Sequence, residues 1–141
     1  MTHRLIYVSA ARRAVDSSDL DAILETSRRN NARDGITGVL IYHDLTFVQM
    51  LEGDAGTVHD CYARIEGDSR HGEIARIIDD PIATRAFPNW SMGFAAPANL
   101  DAPAREGVHS LAALRRTGFA GLADDPVMTR LLETIVSGLR H

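Results

Sequence analysis

The chain has 141 residues, enough for one domain with a buried core and short for two. Hydrophobic residues make up 45% and charged residues 24%, as in soluble globular proteins, and the net charge of −4 argues against a general affinity for nucleic acid. A single cysteine, Cys61, excludes an internal disulfide framework, and no apolar run is long enough to span a membrane.

The first predicted strand covers residues 3–9, with the apolar run LIYVS at residues 5–9. Side chains alternate along a strand, so Tyr7 shares a face with Leu5 and Ser9. Because this strand begins almost at the first residue, it leaves no room for a signal peptide. We therefore expect a cytoplasmic protein.

A helix is predicted next, with N-cap oxygens offered by residues 17–19. Its apolar positions recur at helical spacing and lead to polar side chains on the same face: Leu20, Ile23, Leu24, Ser27 and Asn31. Asp34 and Gly35 end this helix, since glycine readily adopts the left-handed conformation that terminates helices.

A β-hairpin at the centre of the sheet is predicted from two apolar runs, residues 35–42 and 45–53, on either side of a polar His43-Asp44 step. Alternation places Leu45, Phe47, Gln49 and Leu51 on one face and Thr46, Val48, Met50 and Glu52 on the other. Gln49 therefore lies among apolar neighbours. A buried amide left without partners costs about 1–3 kcal/mol, so we expect a polar group to meet it there.

The rest of the chain predicts five further elements and a linker. Asp54 caps a helix whose apolar stripe is Val58, Cys61, Tyr62 and Ile65, with Gly67 as its end. A fourth strand covers residues 74–78, and a fifth covers residues 90–94 with Trp90, Met92 and Phe94 on one face. Residues 95–102 are predicted as a linker, and two amphipathic helices follow at residues 103–116 and 126–139.

The element order favours an α+β, ferredoxin-like fold: a βαββαββ mixed sheet with two helices on one face and a C-terminal two-helix extension. We place that extension on the other face of the sheet or against a partner subunit. Because this fold hosts many unrelated functions, it does not by itself assign one.

Four polar side chains are directed between the first two helices and the sheet: Tyr7, Asn31, Gln49 and Arg64. No metal-ligand spacing, catalytic triad, paired carboxylates or phosphate loop accompanies them. A planar ring rich in heteroatoms, flanked by Ile23 and Ile65, would suit such a slot, and Asn31 could match donor and acceptor atoms on its edge. Each residue alone also has a structural explanation, as core, helix cap or solvated charge.

Four segments together resemble the BLUF family, the blue-light receptors using flavin. They are LIYVS at residues 5–9, NNARDGITGVLIY at 30–42, FVQMLEG at 47–53 and WSM at 90–92. The resemblance covers residues 2–96, and residues 38–53 are its most specific part. The chain looks most like the short, single-domain members, which carry only a small helical C-terminal extension.

The resemblance implies a noncovalently bound flavin, FAD or, as the second choice, FMN, between the first two helices. It makes Tyr7 the electron and proton donor and Gln49 the amide that relays the proton. The residues implied in flavin binding are Gln49 itself, Ile23, Asn30, Asn31, Arg64, Ile65, Arg70 and His71. Trp90 and Met92 are implied in signalling, and the resemblance leaves open which of them lies beside the flavin.

This interpretation divides the chain into a photosensor domain, residues 1–96, and a helical extension, residues 97–141. We expect no enzymatic activity, no nucleic-acid or membrane partner, and a signal that passes to a separate downstream protein. Homodimerisation through the sheet or the C-terminal helices stays open.

Two other classes of protein share parts of this pattern. One is a small ferredoxin-like enzyme of the acylphosphatase or cofactor-free monooxygenase type, although residues 10–13, AARR, lack the glycines of a phosphate-binding loop. The other is a flavin-dependent oxidoreductase, for which no dinucleotide-binding fingerprint is present. A colourless protein would favour the first, and steady NADH consumption the second.

Overall fold

A computed structural model describes residues 2–119 and 121–139 of the chain. Its strands are β1 (Thr2–Ala11), β2 (Thr37–His43), β3 (Thr46–Asp54), β4 (His71–Ile82) and β5 (Gly93–Ala95). Its α-helices are α1 (Ser17–Asp34), α2 (Ala55–Glu66), α3 (Ala102–Leu114) and α4 (Pro126–Ser137). None of the helices within the described residues has both the length and the apolar content to cross a lipid bilayer.

The strands form one mixed sheet in the order β4-β1-β3-β2-β5. All neighbouring pairs are antiparallel except β2 and β5, which run parallel. The central pair, β1 and β3, sets Tyr7 directly opposite Gln49. This arrangement confirms the predicted ferredoxin-like α+β fold.

Both faces of the sheet are covered by helices. On one face α1 and α2 enclose a core that includes Leu5, Tyr7, Phe47 and Leu51. On the other face α3 and α4 pack over a second core, which includes Val48 and Met50. Alternation along β3 therefore sorts its side chains as predicted, and Gln49 lies on the face of α1 and α2.

Two local predictions are wrong in detail. The N-cap of α1 is Asp16, whose side chain accepts from the Asp19 N–H while Asp19 bonds back, so residues 17–19 lie inside the helix. The hairpin turn is Asp44-Leu45, with φ of 45° and 62°, where we expected His43-Asp44. Leu45 thus belongs to the turn, because a two-residue hairpin loop with positive φ at both positions matches the twist of its strands.

The later elements differ from the prediction mainly in length. β4 extends to Ile82 because Pro81, which lacks an N–H, is tolerated in a strand at the edge of a sheet. β5 is reduced to three residues, and the predicted linker contains a 3₁₀ turn at Pro97–Asn99. The last two helices begin within one residue of their predicted starts and end two residues early.

Candidate functional site

A cleft with a cavity volume of about 170 Å³ opens between α1 and α2 over the sheet. Its lining includes nine of the predicted site residues: Tyr7, Ile23, Asn30, Asn31, Gln49, Arg64, Ile65, Arg70 and His71. Six more lining residues were not predicted: Thr26, Ser27, Leu40, Phe47, Cys61 and Asp68. Ser27 and Cys61 belong to the predicted stripes of Ile23 and Ile65, and helical spacing from Ile23 would also have found Thr26, since residues three or four apart share a helix face.

The floor of the cleft carries a hydrogen bond between two buried side chains. The Tyr7 hydroxyl donates to Gln49 Oε1, and the two residues are 1% and 4% exposed. Burial raises the pKa of the Tyr7 phenol well above its usual value, so the hydroxyl keeps its proton across the physiological range. Tyr7 can therefore donate its hydroxyl proton to Gln49 Oε1 throughout this pH range.

The other end of the Gln49 amide also has a protein partner. Gln49 Nε2 donates to Met92 Sδ at 3.3 Å, and Met92 is 1% exposed. These bonds explain how a polar amide is accommodated among Phe47 and Leu51. They join three residues in a row: phenol, amide and thioether.

α1 holds the segment that precedes β5 by two further bonds. Asn31, which is 2% exposed, donates from Nδ2 to the Ser91 carbonyl at 2.8 Å. Arg28 Nε donates to the Met92 carbonyl, also at 2.8 Å. No sequence pattern predicts the Arg28 contact, because the two residues are more than sixty positions apart.

The mouth of the cleft is more polar and more exposed. Arg64, from α2, forms an ion pair with Asp34 at the end of α1, at 3.2 Å. The Arg64 side chain is 53% exposed, so its guanidinium is accessible to a ligand as well as to Asp34. This ion pair connects the ends of the two helices that form the walls.

Comparison with known proteins gives one consistent result. The family model described as "BLUF: Sensors of blue-light using FAD" matches residues 2–93. The chain belongs to the BLUF family. It is also 38% identical over 89 residues to photoactivated adenylate cyclase subunit beta of Euglena gracilis, a match that covers 62% of this chain and 10% of that protein. The chain thus spans about a tenth of the length of the curated relatives it matches.

Solved BLUF structures resemble the whole chain. The dark-state structure of BlrB, a BLUF protein, is 34% identical, with a TM-score of 0.72 and coverage of 98% of this chain and 97% of that one. The photo-activated state of BlsA is 26% identical, with a TM-score of 0.74 and coverage of 100% and 99%. A bacterial light-regulated adenylyl cyclase is 28% identical with a TM-score of 0.74, and this chain covers 40% of it.

BLUF domains bind a flavin, and the residues of this cleft suit its isoalloxazine ring. Ile23 and Ile65 are half-buried apolar side chains on the two helices, while Asn31 and Gln49 are buried amides. Each amide has two N–H hydrogens and an oxygen with two lone pairs, so both retain bonding capacity beyond the contacts described. Apolar walls with amides at the edge match a flat ring with alternating donors and acceptors.

His71 forms part of the BLUF cleft wall beside the phenol. Its Nδ1 lies 2.7 Å from Ser9 Oγ, and its ring meets those of Tyr7 and Phe47 edge-on at 5.9 and 5.3 Å. Burial lowers the pKa of the His71 imidazole, which favours the neutral ring at physiological pH. Arg70, the residue before His71, is exposed, and its backbone N–H donates to Asp68 Oδ1.

The placement of Trp90 and Met92 corrects one prediction for this BLUF chain. Both precede β5 instead of lying in it, and they do not share a face. Met92 packs in the core under α1 and α2, whereas Trp90 packs against the opposite core and stacks on Phe87 at 5.3 Å. The indole lies over Gly93, where a Cβ would come within 2.2 Å of the Trp90 ring.

Proposed function

We propose that this chain is a blue-light sensor in which Tyr7 and Gln49 form the switch and a separate protein receives the signal. The observation that supports this most directly is the buried series of bonds from Tyr7 through Gln49 to Met92. When bound, the flavin would supply the absorption of blue light and an excited ring that accepts an electron.

In this proposal Tyr7 is the donor. Loss of an electron makes a phenol far more acidic, so the hydroxyl proton passes to Gln49 Oε1 along the bond that already joins them. Return of the electron returns the proton to Tyr7. The cycle therefore leaves Tyr7 chemically unchanged and acts only on the amide.

Gln49 converts this transient proton transfer into a lasting change. Its oxygen accepts hydrogen bonds and its nitrogen donates them, so rotation or tautomerisation exchanges the two polarities. A rotated amide would turn Oε1 toward Met92 Sδ, and two acceptors cannot bond to each other. The bond to Met92 is then lost, and the segment before β5 is released from one of its contacts.

The proposed output route runs from one face of the sheet to the other. Met92 contacts the switch, and Trp90, two residues earlier, packs into the core that α3 and α4 cover. In this proposal residues 1–96 form the photosensor domain, and residues 97–141 pass the change to a downstream protein. Homodimerisation stays a prediction; the sheet face under α3 and α4 is covered within this chain, so a dimer would use other surfaces.

The test is one absorption spectrum in the dark and one under blue light. The purified protein should show a flavin spectrum that shifts reversibly to the red by roughly 10 nm, the size expected from about 1 kcal/mol of added hydrogen-bond strength. Tyr7→Phe removes the donor hydroxyl and should retain the flavin but lose the shift. Tyr62→Phe is the matched control, because its ring lies 5.6 Å from that of Tyr7 without bonding to Gln49.

Gln49→Ala tests whether the Gln49 amide causes the red shift. It should bind flavin, as measured by the ratio of flavin to protein absorbance, and show no red shift. A full light-induced shift in Gln49→Ala would refute the proposed role of the amide.

For the cofactor we propose FAD over FMN. A second cavity, lined by Arg12, Arg13 and Arg70, shares Ile23 and Arg70 with the cleft. Three guanidinium groups suit the diphosphate of FAD better than the single phosphate of FMN. This basic cavity is the observation that favours the larger flavin.

Competition among FAD, FMN and riboflavin for the flavin-free protein checks this choice. We expect the order FAD, FMN, riboflavin, and a preference of FAD over riboflavin that falls about fivefold in Arg13→Ala, since one exposed charge contributes up to about 1 kcal/mol. Arg29→Ala, on the exposed surface of α1 and outside both cavities, should leave the preference unchanged. Equal affinities for the three flavins would contradict the assignment.

A further inference from the structure

We propose that His3, His59 and Asp79 form a binding site for a divalent metal ion, Zn²⁺ by its ligand chemistry. The three side chains come from β1, α2 and β4. They lie on the face of the sheet that carries the flavin cleft, but at the opposite end of β1. Nothing in the proposed light-driven switch uses them.

The three potential ligand atoms converge on one point. They all lie within 4.8 Å of one another. His59 Nε2 is 2.9 Å from Asp79 Oδ1 and 3.0 Å from Oδ2, and His3 Nε2 bonds to the same Oδ1. The two imidazole rings meet edge to face with centroids 5.1 Å apart, so both direct the same nitrogen toward one carboxylate.

The donor set matches the preferences of zinc. Two imidazole nitrogens and one carboxylate oxygen, with water in the fourth position, is a common arrangement, at metal–ligand distances of about 2.0–2.2 Å. Ligand atoms around a tetrahedral ion of that size are about 3.4 Å apart, so the two imidazoles would move back from the carboxylate oxygen that they now contact to admit the ion. The ion would replace the protons that now join the imidazoles to the carboxylate.

The site is accessible, and one neighbour opposes a cation. The side chains of His3, Asp79 and His59 are 13, 25 and 43% exposed, which gives an ion a path from solvent. Arg76 Nη1 lies 3.3 Å from Asp79 Oδ2, so its positive charge is next to the proposed ion. Arg76 therefore weakens binding, and its removal should strengthen it.

The site is separate from the flavin cleft, but the two share the elements β1 and α2. His3 precedes Tyr7 by four residues on β1, about 13 Å at the rise of a strand. α2, which carries His59, also contributes Arg64 and Ile65 to the cleft wall. A bound ion would join β1, α2 and β4 at one end of the sheet.

The test is calorimetric titration of the full-length, untagged, flavin-loaded protein with Zn²⁺ after treatment with a chelator. We expect one ion per chain, and at least about tenfold weaker binding in His59→Ala and in Asp79→Asn, the loss typical even for residues that only support a metal ligand. Arg76→Gln should bind Zn²⁺ more tightly than the unmodified protein.

His109→Ala is the matched control. His43 and His109 form a second ring pair, with centroids 4.6 Å apart, which no third ligand joins among the residues that the structure describes. Removal of His109 should leave the titration unchanged. Circular dichroism and the flavin spectrum verify that each variant is folded.

Two results would overturn the proposal. One is a titration in which His59→Ala and Asp79→Asn bind Zn²⁺ as tightly as the unmodified protein. The other is the absence of stoichiometric binding to the unmodified protein itself.

Discussion

Gln49 makes bonds of different strength at its two ends. Toward Tyr7 its oxygen accepts from a phenol, and toward Met92 its nitrogen donates to a thioether, which is a weak acceptor. In the proposed switch, the weaker bond is the one that breaks when the amide rotates. On this proposal, the acceptor strength of the Met92 sulfur determines how stable the dark orientation of the Gln49 amide is.

Met92→Leu tests this at the residue scale. Leucine has nearly the volume of methionine but no acceptor, so the dark orientation of Gln49 loses about 0.5–1 kcal/mol. Because this bond re-forms as the dark state returns, its loss should slow dark recovery by about two- to fivefold. The measurement is the decay of the red-shifted absorbance after the light is switched off.

Met50→Leu is the control for this prediction. Met50 is 2% exposed on the same strand as Gln49, but it belongs to the core on the opposite face. Met50→Leu is the same substitution as Met92→Leu, but the Met50 side chain lies on the other side of the sheet from the Gln49 amide. If both variants slow recovery equally, the effect comes from core packing and not from the lost acceptor.

At the scale of elements, a buried carboxylate on β3 holds the loop that leads to Trp90. Glu52 is fully buried on the face opposite Gln49. Its carboxylate accepts from the backbone N–H groups of Ala86 at 2.6 Å and Phe87 at 3.0 Å, and from the Thr37 hydroxyl at 3.1 Å. These three hydrogen bonds replace the hydration that the Glu52 carboxylate loses when it is buried.

Glu52→Gln should lower the free energy of unfolding by about 2 kcal/mol, because an amide nitrogen would face a backbone N–H and a charge-assisted bond would be lost. Urea unfolding followed by circular dichroism measures it. Glu25→Gln, on the exposed face of α1, makes the same chemical change at the surface and should alter the stability by less than about 0.5 kcal/mol. Similar effects at both positions would show that the buried bonds do not stabilise the loop.

At the scale of the whole molecule, one sheet separates two cores. α1 and α2 cover the face with the flavin cleft, and α3 and α4 cover the other. Arg4, on β1, joins the sheet to the C-terminal helices, since its guanidinium bonds to Asp80 on β4 at 2.7 Å and to Glu133 on α4 at 2.6 Å. The sheet is therefore connected to the C-terminal helices at two places, through the Arg4 ion pair with Glu133 and through the packing of Trp90.

Patterns in the sequence were enough to predict the fold class and most of the residues that line the cleft. Alternation in β3 assigned Gln49 to one face, and helical spacing put Ile23 and Asn31 on one stripe of α1. Periodicity is local, so neighbouring residues are enough to define it. The four BLUF-like segments then gave the family.

The pairing of residues that are far apart in the chain could not be predicted in this way. The separation of Trp90 from Met92 depends on a turn before β5 and on the space over Gly93, and alternation in a predicted strand gave the wrong answer there. The meeting of His3, His59 and Asp79 depends on the packing of three elements. Such contacts arise from burial and register across the fold, which no local pattern in the chain encodes.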